Sequence, residues 1–337
     1  MSASLPRLTL LLLGLLSGAP AGAQDAAPAL AVKRVSLGDG IETGARLGRL
    51  RILGMLQLGT PTIDGIRFAE LSGLAWDDDG GLLYAVNDQG GLFALRPVFN
   101  GDHLVDVKLV KAHRLREPGD GKPVKWRRTD AEGLDIFNGR NGRKGDAELL
   151  VSFETRPRIL RYRTDGTPIR ELPLPAVLAD VDRYPHPNRS LESVCVDPGL
   201  GILTAPEQPM KHERAGRTRI FALSGKSWPL PLGPGGIVAL ECLGNGELLI
   251  LERDFDLPTL HHTLALRRTR IAPDLPDGAL LPVSTVAVLK SSDGLKLDNF
   301  EGLARHRGNR FFLASDNNDV FLQRTLLLYV EIDGGRD

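Results

Sequence analysis

Acidic side chains recur at two fixed places in a segment that repeats along the chain. Three glutamates open copies of the segment: Glu132, Glu192 and Glu301. Five acids close the copies: Asp88, Glu154, Glu207, Glu252 and Asp316. Carboxylates in this number favour Ca²⁺, which takes about six to eight oxygen ligands, over Zn²⁺, because histidine is absent from the repeated positions. The pattern predicts a calcium site with these candidate ligands: Glu132, Glu154, Glu192, Glu207, Glu252, Glu301 and Asp316.

The elements that must position these acids are β-hairpins. In residues 297–318, two apolar runs flank a Gly-Asn turn, which is typical of a hairpin. The copies begin at Ser72, Glu132, Glu192, Ile237 and Glu301. They are 60, 60, 45 and 64 residues apart, with several strand-like runs in each. A period of this length indicates the blades of a β-propeller.

The repeats predict an all-β fold, a single β-propeller in which five blades are counted. Residues 47–58 form a strand-like run outside the repeats, and we expect this run to close the ring by completing the last blade. A sixth blade built from residues 32–58 and the C-terminus is the alternative. Because the first strand of each blade lines the central channel, either arrangement gathers the repeated acids at one mouth of the channel.

The composition excludes some classes of partner. The formal net charge is +0 and the pI is about 7.1, so nothing favours nucleic acid or an anionic membrane. Gly 38 and Pro 23 suit a protein dense in turns. No shift in composition divides the chain, so residues 47–337 are expected to form one domain, acting as a monomer on a small anionic ester.

The N-terminus has the features of an export signal. Arg7 supplies a positive charge, residues 8–16 form a short apolar run, and Ala21-Gly22-Ala23 matches a cleavage site. The run is too short to span a membrane, which takes about 20 residues. We therefore expect a signal peptide at 1–23, a flexible lead-in at 24–46, and a periplasmic or secreted protein without an integral membrane segment after cleavage.

Cys195 and Cys242 are the two cysteines of the chain. An exported protein is permitted disulfides, so a bridge between them is one alternative. Counted from the opening positions Glu192 and Ile237, both cysteines fall at odd offsets. Side chains alternate along a strand, so this count points both to equivalent faces of neighbouring blades. The count favours two buried free thiols.

Basic residues follow several of the acids and provide candidate ligands for an anionic substrate. Arg156 follows Glu154, Lys211 follows Glu207, and Arg253 follows Glu252. Beside a bound cation, Arg156, Lys211 and Arg253 would suit the binding of a phosphate ester. The alternative is that each base pairs with its neighbouring acid and stabilises the end of its blade.

At these repeats the sequence resembles the phytase-like family, exported proteins described by an esterase-like activity of phytase. The resemblance spans about residues 66–330 and is carried by five pairs of motifs. These are LSGLAWD with YAVND, DAEGLDI with LLVSFETRPRI, SLESVCVD with APEQ, ALECL with LILERDF, and DNFEGLA with FFLASDNN. The resemblance implies a β-propeller and, by the name of the family, hydrolysis of a phosphate ester or another ester.

Two functional hypotheses follow from these patterns. In the first, the protein is an exported hydrolase in which Glu132, Glu192 and Glu301 are catalytic and hold Ca²⁺ at the channel mouth. In the second, it is a non-enzymatic propeller that binds a ligand or a protein, and its acids and bases pair internally. A carboxylate with a perturbed pKa beside an open metal position favours the hydrolase, whereas saturated ion pairs favour the binding protein.

Overall fold

The computed structural model describes residues 30–119, 121–124, 130–318 and 323–334. The predicted signal peptide and residues 24–29 of the predicted lead-in lie outside this range. The chain begins with five short or medium strands: β1 (Val32–Arg34), β2 (Arg46–Leu47), β3 (Leu50–Leu58), β4 (Thr62–Ile63) and β5 (Ile66–Arg67). Among the described residues, β4 and β5 form a two-stranded sheet of their own, which leads into the first blade.

Four blades of four antiparallel strands follow, each with its first strand at the channel. Blade 1 contains β6 (Leu71–Asp77), β7 (Leu82–Asn87), β8 (Gly91–Asn100) and β9 (His103–Arg114). Blade 2 contains β10 (Ala131–Phe137), β11 (Glu148–Phe153), β12 (Arg158–Arg163) and β13 (Pro168–Leu172). Blade 3 contains β14 (Leu191–Asp197), β15 (Gly201–Pro206), β16 (Arg217–Ala222) and β17 (Ser227–Pro231). Blade 4 contains β18 (Gly236–Gly244), β19 (Glu247–Asp256), β20 (His261–Arg270) and β21 (Val283–Lys290).

Blade 5 joins the two ends of the chain. Its first three strands, counted from the channel, are β22 (Asn299–Arg307), β23 (Arg310–Asp316) and β24 (Thr325–Ile332). β3 pairs with β24 in antiparallel register, with Met55 opposite Leu328. β1 then pairs with the outer edge of β3, so part of the predicted lead-in belongs to the blade. The closing strand and the five-blade count are confirmed, because the residues proposed for a sixth blade complete the fifth.

Apolar side chains fill the spaces between the blades, because each sheet is covered on both faces by its neighbours. β11 and β23 alternate between two interfaces, and nearly all of their residues are buried. An α-helical turn, α1 (Ala176–Ala179), lies between blades 2 and 3 beside a 3-10 turn at Val181–Arg183. No helix in the described part of the chain has the length and apolar character needed to cross a bilayer.

Glycines let the inner strands approach one another closely in the middle of the channel. A Cβ atom on Gly73 would lie 2.4 Å from the carbonyl oxygen of Glu132. On Gly133 it would lie 2.7 Å from the amide nitrogen of Val194. A Cβ atom at either position would collide with the backbone of the next blade, which explains the glycine that follows Ser72 and the glycine that follows Glu132. Residues of all five inner strands line a space of only about 10 Å³ in the middle of the channel, so its two mouths are separate sites.

The structure corrects the prediction of free thiols, since Cys195 and Cys242 form a disulfide with their Cα atoms 5.5 Å apart. The error was one of register. In blade 4 the position equivalent to Glu192 is Val238 rather than Ile237, because the β-bulge of β18 skips Val238 as that of β14 skips Glu192. Counted from Val238, Cys242 has the opposite parity to Cys195, so the two side chains face each other across the interface between blades 3 and 4.

Replacing both cysteines with alanine should lower the free energy of unfolding by about 4 kcal/mol, the value expected for the loop entropy of a bridge that spans 47 residues. Urea denaturation of the parent and the double variant measures this difference. Reduced parent protein is the matched control and should unfold near the midpoint of the variant. Equal midpoints for oxidised, reduced and substituted protein would contradict the bridge.

Candidate functional site

Each inner strand has a β-bulge near its first residue. The bulges fall at Ser72, Glu132, Glu192, Val238 and Glu301 in successive blades. A bulge leaves its extra residue unpaired and re-aims the side chain, and bulges are frequent beside active sites. The three glutamates share one end of the channel, since the charges of Glu192 and Glu301 both act on Glu132. We call this end the acid mouth.

A second ring surrounds the first. In each blade, one residue of the second strand pairs with the residue that precedes the bulge of the inner strand. The residue that follows it in the second strand lies at the acid mouth. These residues are Asp88, Glu154, Glu207, Arg253 and Asp316. Four of the five are acids, and blade 4 supplies the single base. The acid mouth therefore has a charge that is unevenly distributed around the channel.

Blade 4 departs from the predicted pattern because of the same shift of one residue. Glu252 pairs with Ile237 in the sheet, so Arg253 occupies the position predicted for Glu252. The carboxylate of Glu252 is buried and forms an ion pair with Arg267 at 2.5 Å. The guanidinium of Arg267 also donates to the carbonyl oxygen of Pro231 in blade 3. The structure thus places Glu252 in an inter-blade contact and not among the predicted metal ligands.

Two overlapping groups of carboxylates have the spacing of a metal site. Ligand oxygens of Glu132, Glu154 and Glu192 lie within 4.8 Å of one another, and so do those of Asp88, Asp130 and Glu132. Glu132 belongs to both groups. No lysine or arginine of the described residues forms an ion pair with Asp88, Glu132, Glu154 or Glu192. Neutral donors hold two of these acids, Asp88 and Glu154.

Two of these donors fix the orientation of the carboxylates. The amide nitrogen of Ser190 donates to Glu154 Oε1 at 2.8 Å. The hydroxyl of Ser72 donates to Asp88 Oδ1 at 2.5 Å. Such donors orient an oxygen without neutralising its charge. The remaining carboxylate oxygens are the hard ligands that Ca²⁺ prefers, and their number and spacing fit that ion.

The charges of these acids are strongly disfavoured. Burial raises the pKa of Glu132 well above its ordinary value, and the charges of Asp88, Glu192 and Glu301 raise it further. Burial and the charge of Glu132 raise the pKa of Glu154 to about 9. The pKa of Glu192 and that of Asp88 are also raised well above their ordinary values, first by burial and then by neighbouring acids. Carboxylates in this state bind either protons or a cation.

The other side of the acid mouth contains a positive charge. The guanidinium of Arg253 forms an ion pair with Glu301 at 2.7 Å and approaches Glu207 at 3.8 Å. The Asn299 side-chain amide donates to both Glu301 and Asp316. Burial raises the pKa of Glu301 to about 8, although Arg253 opposes the shift. Burial lowers the pKa of Arg253, but the carboxylates of Glu301, Glu192 and Glu207 raise it by more, so this residue stays protonated.

The other two predicted substrate-binding bases lie elsewhere. The side chain of Arg156 is exposed and lines a groove of about 380 Å³ on the outer side of blade 2. That groove begins at Thr155, whose hydroxyl donates to Asp130, a member of the second group of acids. Lys211 is exposed, and its backbone nitrogen donates to the carbonyl oxygen of Arg183. Of the three predicted bases, the structure brings Arg253 alone to the acids.

Sequence reasoning missed a third ring of polar residues, two positions before each bulge. Its members are Glu70, Asp130, Ser190 and Asn299, with Gly236 in blade 4. Glu70 and Asp130 have positive φ angles of 56° and 30°, a conformation that non-glycine residues seldom adopt and that is often found at functional sites. A signal was present, since in four repeats a polar residue stands two positions before the opening residue of the motif. Arg189, which pairs with Glu207 at 3.9 Å, was also missed.

Comparison with known proteins finds a matching family model and a solved structure of partial similarity. The model of the phytase-like family, described as esterase-like activity of phytase, matches residues 66–319. No curated protein matches the sequence. The β-propeller domain of Cps50 (Swd1) from Myceliophteria thermophila is similar in structure, with 12% sequence identity and a TM-score of 0.41. That alignment covers 91% of this chain and 100% of the other.

Proposed function

Because the chain belongs to the phytase-like family, we propose that it is an exported hydrolase of a phosphate ester or another ester, with Ca²⁺ bound at the acid mouth. One observation carries the proposal: two groups of carboxylates, one buried and one partly buried, share Glu132 and form no ion pair with a base among the described residues, while Arg253 faces them from blade 4. A site made of acids alone would bind a cation and nothing more. Acids beside a fixed arginine suit a cation together with an anionic substrate.

The residues that would hold Ca²⁺ are Glu132, Glu154 and Glu192 with Asp88 and Asp130. When bound, the ion would supply positive charge that polarises a phosphoryl or carbonyl oxygen. Asp88 and Asp130 were not among the predicted ligands of the sequence pattern, and they replace Glu252 in the proposed set. Glu207 and Asp316 belong to the ring around Arg253, where they keep that base charged and oriented.

The protein's own groups supply orientation and proton transfer. Arg253 would bind the anionic group of the substrate through a charge-assisted hydrogen bond. Glu301 lies 2.7 Å from Arg253, and its pKa of about 8 is close to neutrality. A carboxyl group poised in this range can take up or release a proton at the reacting oxygen.

The alternative function is a propeller that binds a ligand without turnover. The observation in its favour is the ion pair between Arg253 and Glu301. Because Glu301 already neutralises the charge of Arg253, no anionic substrate is required to do so. In this case the acid mouth would be a structural calcium site. The two functions differ in one respect that can be measured, since only the hydrolase releases product.

Hydrolysis of p-nitrophenyl phosphate and p-nitrophenyl acetate, with calcium and with chelator, tests the proposal. We expect turnover that chelator removes. Arg253→Gln should raise the KM for the phosphate ester by about tenfold or more, the effect of losing one charge-assisted hydrogen bond, and should leave the KM for the neutral acetate nearly unchanged. Arg253→Lys should restore part of the loss. Lys211→Gln, which removes an exposed base remote from the acids, is the matched control.

Absence of turnover on both esters at saturating calcium would reject the hydrolase in favour of the binding protein. Equal effects of Arg253→Gln on the charged and the neutral ester would reject the role of Arg253 in recognition. In that case the loss would reflect disorder of Glu301.

Export is the second part of the proposal. A disulfide persists in an oxidising compartment, and the Cys195–Cys242 bridge therefore supports passage out of the cytoplasm. N-terminal sequencing of protein recovered from the periplasm or the medium should find Gln24 as the first residue. Recovery of a chain that begins at Met1 from that fraction would contradict cleavage after Ala23.

A further inference from the structure

The mouth of the channel opposite the acid mouth contains a cavity of about 410 Å³. It is lined by the far ends of the inner strands and by the turn that follows β10. The packing around Gly73 and Gly133 separates it from the acid mouth. Its volume lies in the range of small-molecule sites, about 300–1,000 Å³. Nothing in the proposed hydrolysis uses this cavity.

Two acids enter the cavity from non-adjacent blades. Asp135 in blade 2 accepts a hydrogen bond from the amide nitrogen of Val196 at 2.6 Å. Glu241 in blade 4 accepts from the amide nitrogen of Arg305 at 3.0 Å. Each acid lies three residues beyond a bulge, as Cys195 does, and each contacts the next blade. One explanation of the acids is therefore structural, as inter-blade links that resemble the disulfide.

That explanation does not account for an ionisable group at either position. Among the described residues, neither carboxylate forms an ion pair. Burial raises the pKa of Asp135 to about 7, and burial together with the charge of Asp135 raises that of Glu241 to about 8. A neutral side chain such as asparagine would make the same inter-blade hydrogen bond without this cost. Acids in these positions need a further reason.

Two arginines line the same cavity, and within the described part of the chain neither is close enough to an acid to form an ion pair. Arg140 donates from Nη2 to the carbonyl oxygens of Arg305 and His306, both at 2.7 Å. Arg305 donates to the carbonyl oxygens of Leu243 and Gly308. These bonds hold both guanidinium groups in place without neutralising them. Burial and the neighbouring charge of Arg140 lower the pKa of Arg305.

The cavity thus contains two acids and two bases that backbone groups hold apart. We propose that it binds a small zwitterion of the amino-acid class. Its ammonium group would lie against Asp135 and Glu241, and its carboxylate would lie against Arg140 and Arg305. Trp76, Ile136 and Leu243 provide apolar surface for a side chain. A ligand with both charges neutralises the acids and the arginines at once. A ligand with one charge leaves either the two acids or the two arginines without an opposite charge from the ligand.

Three probes of nearly equal shape separate these contributions: L-phenylalanine, 2-phenylethylamine and 3-phenylpropionate. Calorimetric titration of the full chain should show binding of L-phenylalanine at least tenfold tighter than that of either singly charged probe. Binding of 2-phenylethylamine as tight as that of L-phenylalanine would overturn the assignment, because it would mean that the acids alone recognise the ligand. Absence of L-phenylalanine binding up to about 10 mM, near the weak limit of specific affinity, would also overturn it.

Variants then locate the site. Glu241→Gln keeps the hydrogen bond to the amide of Arg305 and should weaken L-phenylalanine and 2-phenylethylamine at least tenfold, with no effect on 3-phenylpropionate. Arg140→Lys keeps the charge but loses the planar fork, and should weaken L-phenylalanine and 3-phenylpropionate. Glu247→Gln removes an acid that pairs with Arg268 outside the cavity and is the matched control. Unchanged affinities in Glu241→Gln would overturn the proposal, and melting curves verify that each variant is folded.

Discussion

Replacing Glu132 with glutamine is expected to abolish the response of the protein to calcium. Glu132 is the carboxylate that the two groups of proposed ligands share, so its loss leaves each group with two acids. In the parent, Ca²⁺ at a hundredfold excess over its dissociation constant should stabilise the fold by about 2.7 kcal/mol, since it binds the folded chain alone. In the variant this stabilisation should vanish, and melting curves recorded with calcium and with chelator measure both.

Glu148→Gln is the control for this experiment. Glu148 lies at the opposite end of the strand that leads to Glu154 and pairs with Arg161. Its removal takes away the same charge from the same blade, and the calcium response should remain. A variant at Glu132 that is stabilised by calcium as strongly as the parent would contradict the proposed site. Equal loss in both variants would point to an effect of net charge.

The second large effect concerns pH in the absence of calcium. Glu301 and Glu154 have pKa values of about 8 and about 9, raised chiefly by burial, whereas an unfolded chain has the ordinary value for glutamate. Above neutral pH the folded protein therefore holds more protons than the unfolded chain. The free energy of unfolding should fall from pH 7 to pH 9, by up to about 1.4 kcal/mol per pH unit for each proton held.

The pH range of this test begins at pH 7 because, below that value, buried histidines change the free energy of unfolding in the opposite direction. Burial lowers the pKa of His306 to about 4 and also lowers the pKa values of His113 and His262. These neutral groups add stability as the pH rises towards 7 and have no further effect above that value. Chemical denaturation in chelator at pH 7, 8 and 9 measures the slope.

Two comparisons decide the origin of the slope. Glu154→Gln should flatten it, because one proton of the folded state is removed. Saturating calcium should also flatten or reverse it in the parent, since the ion replaces protons on the same oxygens. Stability in chelator that rises from pH 7 to pH 9 would contradict the raised pKa values of the acid mouth.

The fold was predictable because each blade repeats the same local chemistry. Apolar runs that alternate around glycine-rich turns define hairpins, and the recurrence of the hairpins defines a propeller. The closing strand was also predictable, since residues 47–58 were a strand-like run without a blade and the last repeat lacked a fourth strand. Both inferences need only periodicity, which a sequence carries directly.

The candidate site depended on register, which periodicity does not fix to one residue. The bulge in blade 4 falls at Val238, and apolar residues on both sides of it hid this position. This error of one residue in register placed Glu252 at the acid mouth in the position that Arg253 occupies. It also gave Cys195 and Cys242 the same parity, so the prediction had their side chains point to equivalent faces of their blades. A bulge depends on contacts between strands, so the sequence of a single strand does not reveal it.

Loop geometry limited the prediction of the bases. Arg156 and Lys211 follow strands that end at the acid mouth, and sequence spacing placed them near their acids. In the structure both side chains are exposed, because the chain turns outwards after each strand. Arg253 differs because β19 continues to Asp256, so that its side chain is still fixed by the sheet. Side chains on strands were therefore easier to place than side chains on loops.

The most direct test of the account is calorimetric titration of the chelator-treated parent and the Glu132→Gln variant with Ca²⁺ at pH 8. The account predicts that the parent binds calcium in a saturable step with release of protons, so that the measured heat depends on the ionisation enthalpy of the buffer. It predicts no saturable step for the variant. A parent that shows no saturable binding of calcium, or a variant that binds it as tightly as the parent, would contradict the proposed calcium site at the acid mouth.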